Sequence, residues 1–393
     1  MNVTEDNVID MANGSISTKD QSYVNEVIAT AEKMHYISSG ICTPILMVVG
    51  IIGNILSIIL WQKKSLRSST GMYLIAQAIN DIGVLVFVFM TDSLVILFPA
   101  IKFNYQFGVF HSYIGYPIFY FFVVNSIWTL VGVTVDRYIQ VCWISQAKIM
   151  CTKKGAKTGI ALITTLCFII NTPHFNTYFP VNSMDRAPGE PAYQYTDFGA
   201  GTGSQMYEFW VHCMFLVLAP WLCIFVLNMT ILRRVTSINK NMLQKRGEMA
   251  QMKAQRKENQ LTKLLLTVTF TFLLLIALQC ITQCFFMLQP EFSDTKVVSE
   301  SYAIAKLGIV INSSVNVFLY CVSGKRFRRE MRLFLYSIMG CKFMVPLPDA
   351  SDISSMGRRK TSSLSEAGSQ NSSQSSLPTI FRRMDTPLEK LAE

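Results

Sequence analysis

Of the 393 residues, 51% are hydrophobic and only 15% are charged, and the formal net charge is +10 at pH 7. So apolar a chain with so few charges is neither intrinsically disordered nor an ordinary cytosolic domain. The surplus lysines and arginines must lie outside any hydrocarbon layer, where charge is costly, so basicity alone implies no nucleic-acid partner.

The first residues, MNVTEDNVIDMANGS, are acidic and polar and lack the basic stub and apolar core of a cleavable signal peptide. Insertion is therefore expected to rest on the first membrane helix. Apolar runs of about 20 residues, the length that crosses a bilayer as a helix, are predicted near 37–61, 71–98, 110–141, 156–173, 207–232, 261–288 and 300–322. Basic residues cluster after the first run (Lys63, Lys64, Arg67), between the third and fourth (Lys148, Lys153, Lys154, Lys157) and between the fifth and sixth (Arg233 through Lys257). Short cytoplasmic loops hold such excess, which places the N-terminus outside and the C-terminus inside. Asn2 and Asn13 then open glycosylation triplets on the outer tail.

Beyond the seventh run, Phe327, Met331, Phe334 and Leu335 share one helical stripe with cations opposite, the pattern of a short helix on anionic lipid. Cys341 is a candidate for palmitoylation. The remainder is rich in Ser, Pro, Gln and Asn and is expected to be disordered. Within it Arg358-Arg359-Lys360 precedes Thr361, Ser362 and Ser363, a site for a basophilic kinase whose phosphates an arrestin-like protein would read. The division is an outer tail 1–36, a membrane bundle 37–323, a membrane-surface helix 324–341 and a cytoplasmic tail 342–393.

Polar residues inside the spans carry a resemblance. Gly50 through Ser57 in the first span, Asn80-Asp81 in the second, Asp136-Arg137-Tyr138 in the third, Pro220 in the fifth and Asn312 through Tyr320 in the seventh come in order and on consistent sides. Together they resemble the rhodopsin-like G protein-coupled receptors, over roughly residues 37–340. The resemblance implies an all-α membrane protein, a seven-transmembrane helix bundle with a short amphipathic cytoplasmic eighth helix, and no enzyme activity. It implies that Asp81, Ser126, Asn312 and Asn316 form a sodium pocket; a protonated Asp81 in an ion-free network is the alternative. It also implies that Arg137, beside Asp136 and Tyr138, pairs with Glu258 in the closed state, and that Tyr320 belongs to the same G protein-coupling end.

The sequence departs from that family at several places. Ser112 stands where the third span usually carries a disulfide cysteine, and the outer loop beyond the fourth span has no cysteine, so that loop is expected to be untethered. Leu278 and Val317 replace the prolines of the sixth and seventh spans, and Asn228 replaces a frequent tyrosine.

The third-span position that holds an ammonium-binding aspartate in amine receptors is Phe119, between Tyr116 and Tyr120. The resemblance turns Asp92, Glu208, His212, Gln279, Gln283, Tyr302 and Lys306 toward the outer cavity. Both signs of charge, amides and aromatic rings suit a short peptide with a basic side chain and an aromatic anchor. Asp92 and Lys306 pairing with each other is the alternative. Stretches such as Asn171 through Phe175 look like invertebrate neuropeptide receptors of the FMRFamide type. The expected partners are thus an extracellular peptide, a heterotrimeric G protein, an arrestin-like protein and membrane lipid. A non-signalling or scavenger-type receptor and a transporter are the rivals. The four scattered histidines form no recognisable catalytic or metal motif.

Overall fold

The computed structural model describes residues 29–30, 32–244, 262, 265–277, 281 and 296–339. Six helices among them are long and apolar enough to cross a membrane. They are α1 (Glu32–Gln62), α2 (Ser69–Leu97), α3 (Tyr105–Cys142), α4 (Lys153–Asn176), α5 (Thr202–Ile238) and a stretch Ala303–Val322. The last belongs to α7 (Lys296–Ser323). The predicted sixth span is represented by a shorter apolar helix, α6 (Leu265–Ala277). A final helix, α8 (Lys325–Met339), comes after Gly324. The chain divides after Phe334, and of the second unit only 335–339, the last residues of α8, are described.

Local chemistry sets several helix ends. Ser68 and Thr152 accept hydrogen bonds from the backbone N–H groups of Gly71 and Gly155, capping α2 and α4. Pro44 lies inside α1, where the π-helical stretch Tyr36–Cys42 passes into regular α-helix. π-helical stretches occur at Tyr36–Cys42, Phe89–Ser93, His111–Gly115 and Tyr207–Leu218. All lie toward one end of the bundle.

Helix α2 packs against α1, α3 and α4, while α7 packs against α1 and α2, and α5 against α3. The buried core runs through Leu74, Ile127, Leu130, Val133, Ile224, Phe272 and Tyr320. In lipid, close helix approach depends on small residues. A Cβ on Gly50 would come within 2.6 Å of Leu85 and 2.8 Å of Ser314, and one on Gly53 within 2.6 Å of Val317. Gly50 and Gly53 therefore let α1 settle onto α2 and α7. Ser314 reinforces that seam by donating to the Leu46 carbonyl at 3.0 Å.

Between α4 and α5 the chain forms a hairpin, β1 (Tyr178–Pro180) antiparallel to β2 (Tyr193–Tyr195), with Tyr178 opposite Tyr195. The expectation of an untethered loop is wrong. The His111 imidazole stacks on the Tyr193 ring at 3.8 Å and 16°, and Tyr178 meets both His111 and Tyr116 edge-on at 5.2 and 4.9 Å. The Ala192 N–H donates to the Lys102 carbonyl at 2.7 Å. Burial and the bond to Tyr195 push the Tyr178 phenol well above its ordinary pKa, so it stays a neutral donor. The rings thus fasten the hairpin to α3, beside the position where the family uses sulfur, and the backbone bond fastens it to the Pro99–Phe103 turn that precedes α3.

Close approach makes this seam sensitive to one methyl group. A Cβ on Gly108 would collide with the backbone carbonyl of Ala192, whereas one on Gly203 would meet only Phe198 at an ordinary 3.6 Å. Gly108→Val is therefore expected to lower the melting temperature of the detergent-purified chain by several degrees, on the scale of 1–3 kcal/mol for overpacking. Gly203→Ala serves as the reference, and equal melting of the two variants would show that the hairpin yields freely.

Candidate functional site

Three polar clusters occupy successive levels of the bundle. In the middle, Asp81 is wholly buried. A carboxylate at that depth needs partners, and three helices supply them. Ser126 Oγ on α3 donates to Oδ1 at 2.9 Å, and Asn316 Nδ2 on α7 donates to Oδ2 at 2.7 Å. Gln77, one turn earlier on α2 and so on the same face, donates to Oδ1 at 3.1 Å and to Ser126 Oγ at 2.6 Å. The sequence motifs single out Asp81, Ser126 and Asn316 but not Gln77, whose i, i+4 spacing from Asp81 is the signal that offers it. Asn312 is only half-buried, and the described hydrogen bonds to Asp81 come from other residues. A second layer adjoins it: Asn80 donates to Thr129 at 3.1 Å, Asn125 to Asn80 at 2.9 Å, and Asn54 to the Ser313 carbonyl at 2.8 Å.

At the end away from the hairpin, Asp136 accepts from Gln140 at 2.8 Å, from Ser69 at 3.3 Å and from Thr70. Arg137, almost fully buried, donates to Thr70 and lies 3.8 Å from Asp136. Thr70 thus bridges the acid and the base. Tyr138 is half-buried and packs on Trp143 and on the Ile231, Val235 and Leu266 cluster of α5 and α6. Tyr320 is held between Trp61 and Phe327 at 5.7 and 5.4 Å, joining α1, α7 and α8. Lys63 reinforces the junction with α8, 3.8 Å from the Glu330 carboxylate and over the Phe334 ring. Helices α5 and α6 are tied separately, by Asn228 donating to Thr269 at 2.6 Å and the Trp221 indole donating to the Leu273 carbonyl at 2.9 Å. Glu258, Cys341, Thr361, Ser362, Ser363, Asn2 and Asn13 lie outside the described residues.

At the hairpin end, Asp92 Oδ1 pairs with Lys306 Nζ at 2.7 Å and with His35 Nε2 at 3.1 Å. The pairing alternative for Asp92 and Lys306 is the geometry found. Glu208 sits between the Nδ1 atoms of His174 at 3.5 Å and His212 at 3.6 Å. Tyr120 stacks on His174 at 4.4 Å and 17°, with Tyr116 at 4.8 Å and Phe119 at 5.3 Å from Tyr120. His35, His111 and His174 are not marked by any sequence motif as site residues, although His174 lies inside the Asn171 through Phe175 stretch that carries part of the resemblance. Gln279 and Gln283 lie outside the described residues, as does the side chain of Tyr302.

Residues 53–320 match the model of the 7 transmembrane receptor (rhodopsin family). The chain is 25% identical over 331 residues to the sex peptide receptor of Drosophila melanogaster, covering 77% of this chain and 74% of that one. It is 27% identical over 312 residues to the FMRFamide receptor of Drosophila melanogaster, covering 76% of this chain and 53%, about half, of that receptor's length. To the growth hormone secretagogue receptor type 1 of Mus musculus it is 26% identical over 340 residues, covering 85% and 86%.

The Asp136 cluster has a measurable consequence in the loop after α3. Cys151 Sγ lies 3.6 Å from the Asp136 carbonyl oxygen, and burial together with the Asp136 carboxylate pushes the thiol up to about 11. Its thiolate fraction at neutral pH is then roughly a hundredfold below that of an ordinary cysteine. Iodoacetamide labelling at pH 7.4, with peptide mass spectrometry as the readout, is expected to modify Cys151 at least about tenfold more slowly than a reference cysteine peptide. Labelling at the reference rate would contradict this environment.

Proposed function

The chain belongs to the rhodopsin family of seven-transmembrane receptors, and we propose that it is a receptor for a short extracellular peptide that signals through heterotrimeric G proteins. It is a membrane protein and not an enzyme. The hairpin end supports the peptide reading: it combines an acid–lysine pair, a second acid between imidazoles, and a wall of tyrosines. Two of the relatives are named as receptors for sex peptide and FMRFamide. In this reading the hairpin end faces outward at the plasma membrane, with glycans on Asn2 and Asn13. The Arg137 end faces the cytoplasm, where Glu258 closes onto Arg137 until the G protein enters. Helix α8 then lies on lipid, anchored through Cys341, and phosphates on Thr361, Ser362 and Ser363 recruit an arrestin-like protein.

A panel of amidated peptides that includes Phe-Met-Arg-Phe-amide, applied to cells expressing the full chain and read by calcium and cyclic AMP together, tests the reading. At least one peptide is expected to act at submicromolar concentration, on the order of 8 kcal/mol of binding or more. Silence across the panel at normal surface expression would refute a peptide ligand of this kind.

We also propose that Asp81 holds a sodium ion. The oxygen set suits a hard cation: besides Asp81, Ser126, Asn312 and Asn316, the Gln77 Oε1 is buried and has no hydrogen-bond partner among the described residues. When bound, the ion supplies a positive charge beside Asp81. Ser126 and Asn316 orient the carboxylate, and Gln77 keeps the site joined to α3. Asp81→Asn is expected to abolish any sodium dependence of agonist affinity in washed membranes. Sodium sensitivity that persists in this variant would place the ion elsewhere.

A further inference from the structure

Asp92 and Glu208 are carboxylates set on the helices at the hairpin end, and their surroundings differ. Asp92 is matched by a full cation, Lys306 at 2.7 Å, and by His35 on the same oxygen. For Glu208 the described ion pairs include no lysine or arginine. Its neighbours are two imidazole nitrogens, one facing each carboxylate oxygen at 3.5 and 3.6 Å. Both separations are longer than a good N–H···O bond, and neither ring nitrogen of His174 has a hydrogen-bond partner among the described residues. A buried carboxylate without a full counter-charge is an unmet electrostatic demand.

Access and shape complete the picture. The Glu208 side chain is 16% exposed, against 0% for His174, so the acid and not the imidazole behind it is reachable. Aromatic rings pack on its two imidazole neighbours. Tyr120 stacks on His174 and meets His212 edge-on at 5.0 Å, while Tyr207 meets His174 edge-on at 5.3 Å. The Tyr207 hydroxyl, donating to the Ile170 carbonyl at 3.0 Å, fixes that wall to α4. Such walls favour a cation that can also stack.

We propose that Glu208, framed by His174, His212 and Tyr120, is the subsite that receives a cationic side chain of the ligand, a guanidinium in preference to an ammonium. The inference rests on the peptide reading above and adds which of the two acids binds the ligand's charge. Asp92 and Lys306 neutralise each other and present no net charge to it. A guanidinium is planar, matches both oxygens of one carboxylate and stacks on rings, whereas an ammonium is a point charge.

The test has two arms on the full chain. In the first, detergent-purified protein is titrated with N-acetyl-arginine amide and, separately, with the neutral isostere N-acetyl-citrulline amide, observed by saturation-transfer NMR. The arginine fragment is expected to bind at least about tenfold more tightly, a difference of about 1.4 kcal/mol. Glu208→Gln should erase that preference, while Asp197→Asn, which neutralises an exposed carboxylate just after β2, should preserve it. The second arm compares Phe-Met-Arg-Phe-amide with its citrulline analogue on cells. Absence of an arginine preference in the unmodified chain overturns the subsite, whatever the fate of the variant. So does a preference that survives in Glu208→Gln at an unchanged melting temperature. Fragment discrimination that depends on Glu208, together with silence of every peptide, would leave the subsite standing and remove the peptide reading. Equal potency of the two peptides would do the reverse.

Discussion

Helices in lipid gain little from apolar contact with one another, because the solvent is as apolar as they are. What orders this bundle is the need to satisfy one carboxylate at its centre. Asp81 draws Ser126 from α3, Asn316 from α7 and Gln77 from its own helix into one network, and the Asn80, Thr129 and Asn125 bonds continue it along the α2 and α3 seam. Asn54 brings in α1 by reaching the Ser313 backbone. Four helices are therefore registered against each other by directional bonds. Gly50 and Gly53 then decide how closely α1 can lie.

The hairpin shows the same problem solved without sulfur. A disulfide is strong and local; the stack of His111 on Tyr193, with Tyr178 and Tyr116 around it, is spread over several rings. Aromatic pairs contribute about 0.5–1.5 kcal/mol each beyond burial. Several together approach the roughly 2–4 kcal/mol typical of a disulfide, but only while all of them pack. That explains why Gly108 must remain bare beside Ala192. The ring contacts of the tether all depend on the distance between α3 and the hairpin.

Much of the architecture is legible in the sequence, because spans of about 20 apolar residues leave few alternatives. As the resemblance implies, Ser126 and Asn316 reach Asp81 and Arg137 lies beside Asp136, whereas the described hydrogen bonds to Asp81 do not include Asn312. The sequence is mute on relations that depend on which side chain meets which across helices. Gln77 lies one turn from Asp81, yet a glutamine in a membrane helix announces no partner. His174, at the end of α4, and Glu208, at the start of α5, are far apart in the chain, and only the fold sets one on the other. The loop tether is hidden because cysteine is an all-or-none signal, whereas a tyrosine-rich strand such as Tyr193–Tyr195 is consistent with many roles.

The π-helical stretches connect these observations. Each adds a residue to a helical turn and re-aims the side chains beyond it, and such bulges concentrate at functional sites. Here Phe89–Ser93 contains Asp92, His111–Gly115 contains the imidazole of the tether, and Tyr207–Leu218 contains both Glu208 and His212. A regular helix would rotate these side chains by about 100° per residue. The unusual backbone therefore sits where the polar side chains of the hairpin end must converge. The regular turns lie lower, where α1 and α7 meet through Gly53 and Val317. A valine at 317 keeps the N–H that a proline would lack, and α7 runs unbroken from Lys296 to Ser323. Among the described residues the π-helical stretches are thus confined to the hairpin end, and the levels of Asp81 and Tyr320 beneath it are built on continuous helix.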